Sequence, residues 1–486
     1  MTPKRPILPI LSCALALGAA IPLAPASAQT QAEAPEPLGI RGTIAEPAPM
    51  RIRPPRPARP PPTARPVRPP LRAIPERPFR GQVRAPVAAL AEPAEPLVVP
   101  RRRRPVEEDP YAPLGLRLGT LVVVPGVEQS VGWDSNPNRV AAPARGSRVY
   151  RTDADLLFRS DWSTHEFTAF LRGGYSFYPD VKGADRPDAE GRVALRLDAT
   201  RDTRIDLDGR FRLDTERPGS PELGVDASER PLIVTGGASA GVTHRFNRLS
   251  VGLRGSIDRN VYESARLTDG SILDQSDRDR TQYGARLRAA YELTPGVSPF
   301  VEALADTRVH DERIDRSGFR RDSDGFGARV GSTFEITRTL TGEASAGFQR
   351  RRYEDPRLRD ITGPVAEAAL VWSATPLTTV RLRGQSLIED TTIPNASGAL
   401  ARTAALEVQH DLRRNLSVTL AASYTDRDYR GVFLKEEVKA GSVRLDYRLT
   451  RSLALRASFT HERLKSSTPG SDYTANVFLI GLRLQR

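Results

Sequence analysis

The stretch Arg204-Ile-Asp-Leu-Asp-Gly-Arg-Phe-Arg-Leu-Asp214 decides the fold class. Ile205, Leu207, Phe211 and Leu213 are apolar, while Arg204, Asp206, Asp208, Arg210, Arg212 and Asp214 are charged. Alternation with period two puts the two sets on opposite faces of an extended strand. A helix of 3.6 residues per turn would scatter both sets around its circumference. Six charges on one face are costly in a dry interior and natural against water. The strand is therefore expected to divide an apolar medium from an aqueous one.

The same alternation recurs on both sides of that stretch. It runs through Phe167, Ala169, Leu171, Tyr175 and Phe177, and through Leu249, Val251, Leu253, Ile257 and Val261. It returns in Tyr283, Ala285, Leu287, Ala289 and Tyr291, and in Leu416, Val418, Leu420, Ala422 and Tyr424. Short connections are expected at 161–164, 201–203, 247–248, 294–296, 337–339, 375–377, 413–415 and 450–452. Longer ones are expected at 134–148, 179–190, 215–231, 263–279, 311–322, 355–362, 390–399, 426–436 and 463–472. The two kinds alternate strictly, so seventeen connections predict 18 strands. Short turns at one end and long loops at the other mark a single antiparallel up-and-down transmembrane β-barrel of the bacterial outer membrane. A soluble sandwich built from strands averaging ~5–6 residues fits this spacing poorly. Trp133, Tyr150, Tyr175, Phe177, Tyr178, Tyr262, Tyr353 and Trp372 fall near the expected strand ends, as interfacial girdle residues do.

The barrel accounts for residues 114–486; two other segments precede it. Lys4 and Arg5, an apolar run from Ile7 to Leu23 and the small residues Ala26-Ser27-Ala28 read as a signal peptide over 1–28. Cys13 is the single cysteine of the 486 residues, so disulfide scaffolds and cysteine zinc sites are excluded. Residues 29–113 hold 22 of the 42 prolines and 15 arginines but no lysine. Proline lacks an amide donor and fixes φ, so this segment is expected to be a disordered, polyproline-like tail. An even strand number puts both chain ends on the short-turn side, which places the tail in the periplasm. Its basic composition suits a solvated linker or a tether to peptidoglycan or an envelope protein.

Several segments have the look of a known family. Val131-Gly-Trp-Asp-Ser-Asn-Pro-Asn-Arg139, Ser160-Asp-Trp-Ser-Thr-His165, Asp277-Arg-Asp-Arg-Thr-Gln-Tyr-Gly-Ala-Arg286, Thr375-Pro-Leu-Thr-Thr379 and Ile480-Gly-Leu-Arg-Leu-Gln-Arg486 resemble β-barrel porins among the proteobacterial outer-membrane β-barrel proteins. The resemblance covers roughly residues 119–486. It implies the fold and the membrane, along with the lipid, lipopolysaccharide and barrel-assembly machinery that go with them. It implies no catalytic residue and no cofactor.

The residues themselves point to no enzyme. Gly237-Ala-Ser-Ala-Gly241 matches a nucleophile-elbow pattern but continues as a strand instead of turning into a helix. His165, His244, His310, His410 and His461 show no metal-ligand spacing. Asp274, Asp277 and Asp279, and Asp322 with Asp324, form acidic loop clusters, read either as solvated charges or as ion bridges to lipopolysaccharide. The formal net charge of +13 comes without an aromatic–basic recognition module, so nucleic acid is not an expected partner.

What remains is a pore. By parity its lining includes Arg196, Arg204, Asp206, Asp208, Arg210, Arg212, Arg254, Asp258, Arg286, Arg288, Arg381 and Arg383. A ring of arginine favours anions, whereas arginine paired with aspartate across strands stiffens the wall. The connection 215–231 carries Glu216, Glu222, Asp226 and Glu229. Folded inward it would face the basic wall of 204–212 and constrict the lumen; stiffened by Pro218, Pro221 and Pro231 it would point outward. The chain is thus expected to be a porin-like passive channel for small hydrophilic solutes, anions among them. The alternative is a structural or secretion-linked envelope barrel tethered by its tail.

Overall fold

The computed structural model describes residues 109–486, apart from 142, 143, 224–226 and 338. The signal-peptide segment 1–28, the tail up to 108 and Asp226 lie outside the described residues. The first barrel strands are β1 Leu121–Asp134, β2 Ser147–Ser160, β3 Glu166–Phe177, β4 Arg186–Asp198, β5 Thr203–Thr215 and β6 Leu232–Phe246. They are followed by β7 Leu249–Tyr262, β8 Arg280–Tyr291, β9 Val297–His310, β10 Ser323–Thr337, β11 Leu340–Tyr353 and β12 Ile361–Thr375. The ring is completed by β13 Thr378–Glu389, β14 Gly398–Arg413, β15 Leu416–Arg430, β16 Lys435–Arg448, β17 Leu453–Ser466 and β18 Tyr473–Gln485.

Each strand pairs antiparallel with the next, and β1 closes the ring on β18 from Gly126↔Gln485 to Asp134↔Val477. The fold is therefore the expected closed 18-strand antiparallel barrel. Its only described helix is the single 3-10 turn Ser276–Arg278. Closure satisfies every strand edge, which a hydrocarbon environment requires.

The period-two pattern becomes two surfaces. Leu207 on β5 stands opposite Leu195 on β4, and Leu253 on β7 opposite Val242 on β6 and Leu287 on β8. Leu253, Val330 and Phe348 are 59%, 63% and 67% exposed, so the apolar side chains cover the outside. Many of the buried apolar residues gather in five small clusters at the long-loop end, such as Phe319, Tyr353, Leu358, Ile361, Ile388 and Leu400, while others, such as Ala112, Val122, Val123 and Val124, lie at the short-turn end. The barrel is held by its backbone ladder and by polar contacts inside, with no central apolar core.

Three local expectations fail for physical reasons. The connection expected at 426–436 shrinks to 431–434, because β15 runs on to Arg430. Its charged end, Asp426-Arg-Asp-Tyr-Arg430, looks like loop, but Arg427 turns inward and binds Glu389 at 2.9 Å. Tyr178 and Tyr353 are buried instead of standing in the outer girdle, where Trp133, Tyr150, Tyr175, Phe177 and Trp372 are exposed. Packed structure also begins before Leu114. Asp109 pairs with Arg448 at 2.5 Å, Pro110 O accepts from Arg451 Nε at 2.8 Å, and Ala112 is buried.

Candidate functional site

The inner wall is a lattice of guanidinium groups and carboxylates. Glu302 on β9 lies 3.6 Å from Arg286 on β8 and 3.1 Å from Arg329 Nε on β10. Arg329 reaches on to Glu367 on β12 at 2.7 Å, and Arg288 holds Glu343 on β11 through two bonds of 2.8 and 2.9 Å. A second arc joins Arg456 to Glu128 at 2.7 Å, Arg483 to Asp155 at 2.5 and 2.8 Å, and Arg151 to Asp153 and Asp188 at 2.6 and 3.0 Å. Paired, fork-like contacts of this kind fix the planar guanidinium in place.

The long-loop end is built differently. The connection 216–231 leaves β5 and returns to β6, and its base is closed by Glu216 N donating to Pro231 O at 2.8 Å. From there it reaches residues far round the ring. Arg217 pairs with Glu436 on β16 at 2.9 Å. Glu222 accepts from Thr392 N at 3.0 Å, from Thr392 Oγ1 at 2.7 Å and from Thr391 Oγ1, just beyond β13. In an 18-strand ring the wall facing β5 and β6 is that of β14 and β15, and these partners flank it. The connection thus lies across the inside of the mouth.

Neighbouring loops support it. Glu216 takes Arg278 at 2.7 Å, and that guanidinium also covers the Tyr262 ring at 4.0 Å. Burial opposes the Arg278 charge, but Glu216 and Glu222 more than compensate and raise its pKa. Ser228 N donates to Arg266 O at 2.9 Å. Gly183 sits at φ +71 with Ser228 O where a Cβ would be, so a side chain there would push the connection away.

Two further loops close in from the other side. Arg321 and Asp315 pair at 2.7 Å, each 1% exposed, and Arg321 Nη2 donates to Ile393 O at 3.0 Å. Asp390 receives Arg280 at 3.2 Å and His310 Nε2 at 3.0 Å, while Asp322 meets the other nitrogen of His310 at 3.1 Å. Burial works against the Asp390 charge, but Arg280 and His310 overcome it and hold the carboxyl well below the usual carboxylate range. Between these loops and the connection lies a cavity of about 250 Å³. Its lining carries nine arginines against eight carboxylates.

A family model described as "putative beta-barrel porin 2" matches residues 109–486. The chain belongs to that family. Among solved structures, this porin-family barrel is similar to the copper transporter OprC, with 10% identity and a TM-score of 0.42, covering 76% of this chain and 82% of that one. It is also similar to a mutant of the ferric enterobactin receptor PfeA from Pseudomonas aeruginosa, with 8% identity and a TM-score of 0.38, covering 75% and 80%. No curated protein matches the chain by sequence. Family and apolar exterior together place the barrel in the outer membrane.

The twelve lining candidates all carry the inward parity of this porin-family barrel, and all but Arg383 are ion-paired among the described residues. Arg196 holds Asp198 at 3.0 Å, Arg204 holds Asp206 at 2.9 Å and Arg212 holds Asp214 at 3.1 Å. Arg210 binds Asp258, Asp208 accepts from Arg254 at 2.8 Å, and Arg381 takes Glu407 at 3.2 Å. The wall arginines 204, 210 and 212 thus answer wall acids, and the loop acids Glu216 and Glu222 bind elsewhere; Glu229 is exposed. The acidic loop residues act locally: Asp277 holds Arg316 at 2.6 Å, and Asp274 caps Ser276 N at 2.9 Å. Sequence reasoning missed Arg139, Arg186, Arg217, Arg230, Arg280, Arg308 and Asp390 in the mouth. Parity carried to the ends of β8 and β9 would have found Arg280 and Arg308, and carried back into the expected loop 179–190, where β4 in fact begins, it would have found Arg186; nothing local marks the others.

Proposed function

We propose that the chain is a passive outer-membrane channel for small hydrophilic solutes, and that connection 216–231 sets its bore at the long-loop mouth. The observation that carries this reading is the connection's anchorage across the interior, through Arg217 to Glu436 and Glu222 to Thr391 and Thr392. An 18-strand barrel is wide enough for an aqueous channel, and a wall of paired charges keeps it wet. The one-arginine surplus of the cavity favours anions over cations of the same size. No step of this role needs a reacting group, so the protein is not an enzyme on this reading.

The chain meets the barrel at the short-turn end, where Asp109 and Pro110 are held by Arg448 and Arg451. With that end in the periplasm, the Arg/Pro tail lies there too, within reach of peptidoglycan or an envelope protein. The outer surface contacts lipid and lipopolysaccharide, and assembly runs through the barrel-assembly machinery.

Purified protein in planar bilayers tests the reading. Discrete conductance steps with a reversal potential displaced toward the anion are expected in a salt gradient. A barrel that inserts, runs faster on gels unheated than boiled, and conducts nothing would leave the structural, tail-tethered reading in its place.

A further inference from the structure

One group in the mouth is not balanced by its surroundings. Arg230 stands next to Pro231, at the base of connection 216–231, and lines the cavity. Its Nη2 donates to Pro137 O at 2.9 Å, its Nε is buried without any hydrogen-bond partner, and no described carboxylate pairs with it. Two more guanidinium groups line the same part of the cavity. Arg139 reaches Asp134 through one nitrogen, 2.9 Å from each oxygen, and lies 3.5 Å from Glu462. Arg186 lies 3.2 Å from the same Asp134 and over the Tyr178 ring at 5.0 Å. Glu462 is further engaged by the Tyr473 hydroxyl. Three guanidinium charges therefore face two carboxylates.

We propose that Arg230, Arg139 and Arg186 form a binding site for a small singly charged carboxylate at the mouth of the barrel. A carboxylate accepts two parallel bonds from one guanidinium, and its single charge cancels the single surplus. The unbonded Nε of Arg230 supplies a donor on the buried edge of the fork. Burial and the nearby Arg186 and Arg139 bring Arg230 down to about 9, which is the cost an entering anion would relieve. The site deepens the channel reading, since it lies where that reading puts the entrance, yet binding can be measured without conduction.

Acetate is the probe, titrated against the full chain in detergent, with broadening of its methyl proton line as the readout. Saturable broadening is expected. R230Q and R186Q should each weaken it about tenfold or more, and R230K should bind more tightly than R230Q. R245Q at the opposite end should match the wild type. The heat-dependent gel shift of each variant shows that the barrel is intact, and R186Q leaves Asp134 with its Arg139 contacts. Two results overturn the proposal: no saturable broadening with wild type, or an affinity in both R230Q and R186Q that equals that of the wild type. Inorganic phosphate binding where acetate does not would overturn the carboxylate assignment. A silent bilayer with intact acetate binding would sink the channel and leave the site.

Discussion

The two ends of this barrel use the same residue types and put them to different ends. At the short-turn end, connections of two to five residues leave their charges in water; Arg245 and Asp202 pair while 57% and 53% exposed. At the long-loop end, Arg321 and Asp315 are each 1% exposed, and Arg217 and Glu436 are 7% and 4% exposed. An exposed pair is screened by solvent and contributes ~0–1 kcal/mol. A buried pair gains little over an apolar replacement, but losing one partner strands the other charge at ~3–5 kcal/mol. The mouth is thus specified by polar contacts that all have to be present together, whereas the turns are interchangeable.

That contrast can be broken most easily where burial is deepest. Asp315→Ala should cost ~3–5 kcal/mol, because Arg321 keeps only its carbonyl partners. Asp202→Ala at the other end should cost no more than ~1 kcal/mol. Urea unfolding in lipid vesicles, followed by the gel shift, measures both, and equal losses would erase the distinction. Next come the wall faces. Leu253→Arg should cost ~2–4 kcal/mol in the bilayer, and Ser256→Arg, on the water side, much less. Equal costs would mean that the assignment of lipid and water faces is wrong.

The smallest effect is a pH dependence at the long-loop end. Burial lifts Asp279 from 3.8 to about 6, while its carboxylate caps Tyr262 N at 2.8 Å. Folding favours the protonated form, so the stabilisation is complete below the unfolded value and is lost as pH rises through about 6. Amide exchange at Tyr262 should quicken between pH 5 and 7.5 beyond the intrinsic base-catalysed rise, by an opening free energy on the order of 1 kcal/mol. Asp279→Asn should remove that excess. An excess that persists in the variant would place the titration in another group.

The wall was legible in the sequence because its information is local. Alternation gave the faces of β5 and β7, turn residues gave the strand number, and even the lining arginines follow from parity. The mouth was not, because its contacts join residues that no period relates. Arg217 finds Glu436, and Glu222 finds Thr392, across half the ring. The charges of Asp426–Arg430 looked like loop for the same reason: only the presence of Glu389 inside makes Arg427 a strand residue. Tyr178 and Tyr353 sit near strand ends as girdle residues do, but the inward loops gave them a packed interior to fill.

The central claim is that connection 216–231 bounds the channel from within, and removing its span tests that most directly. Deleting Ser220–Ser228 takes away Glu222 and its grip on Thr391 and Thr392 while leaving β5, β6 and the Glu216–Arg278 pair. Single-channel conductance should rise severalfold in the deletion, with anion preference reduced, while the gel shift stays that of a folded barrel. Unchanged conductance and unchanged selectivity in a correctly folded variant would contradict the account and place the narrowest point elsewhere.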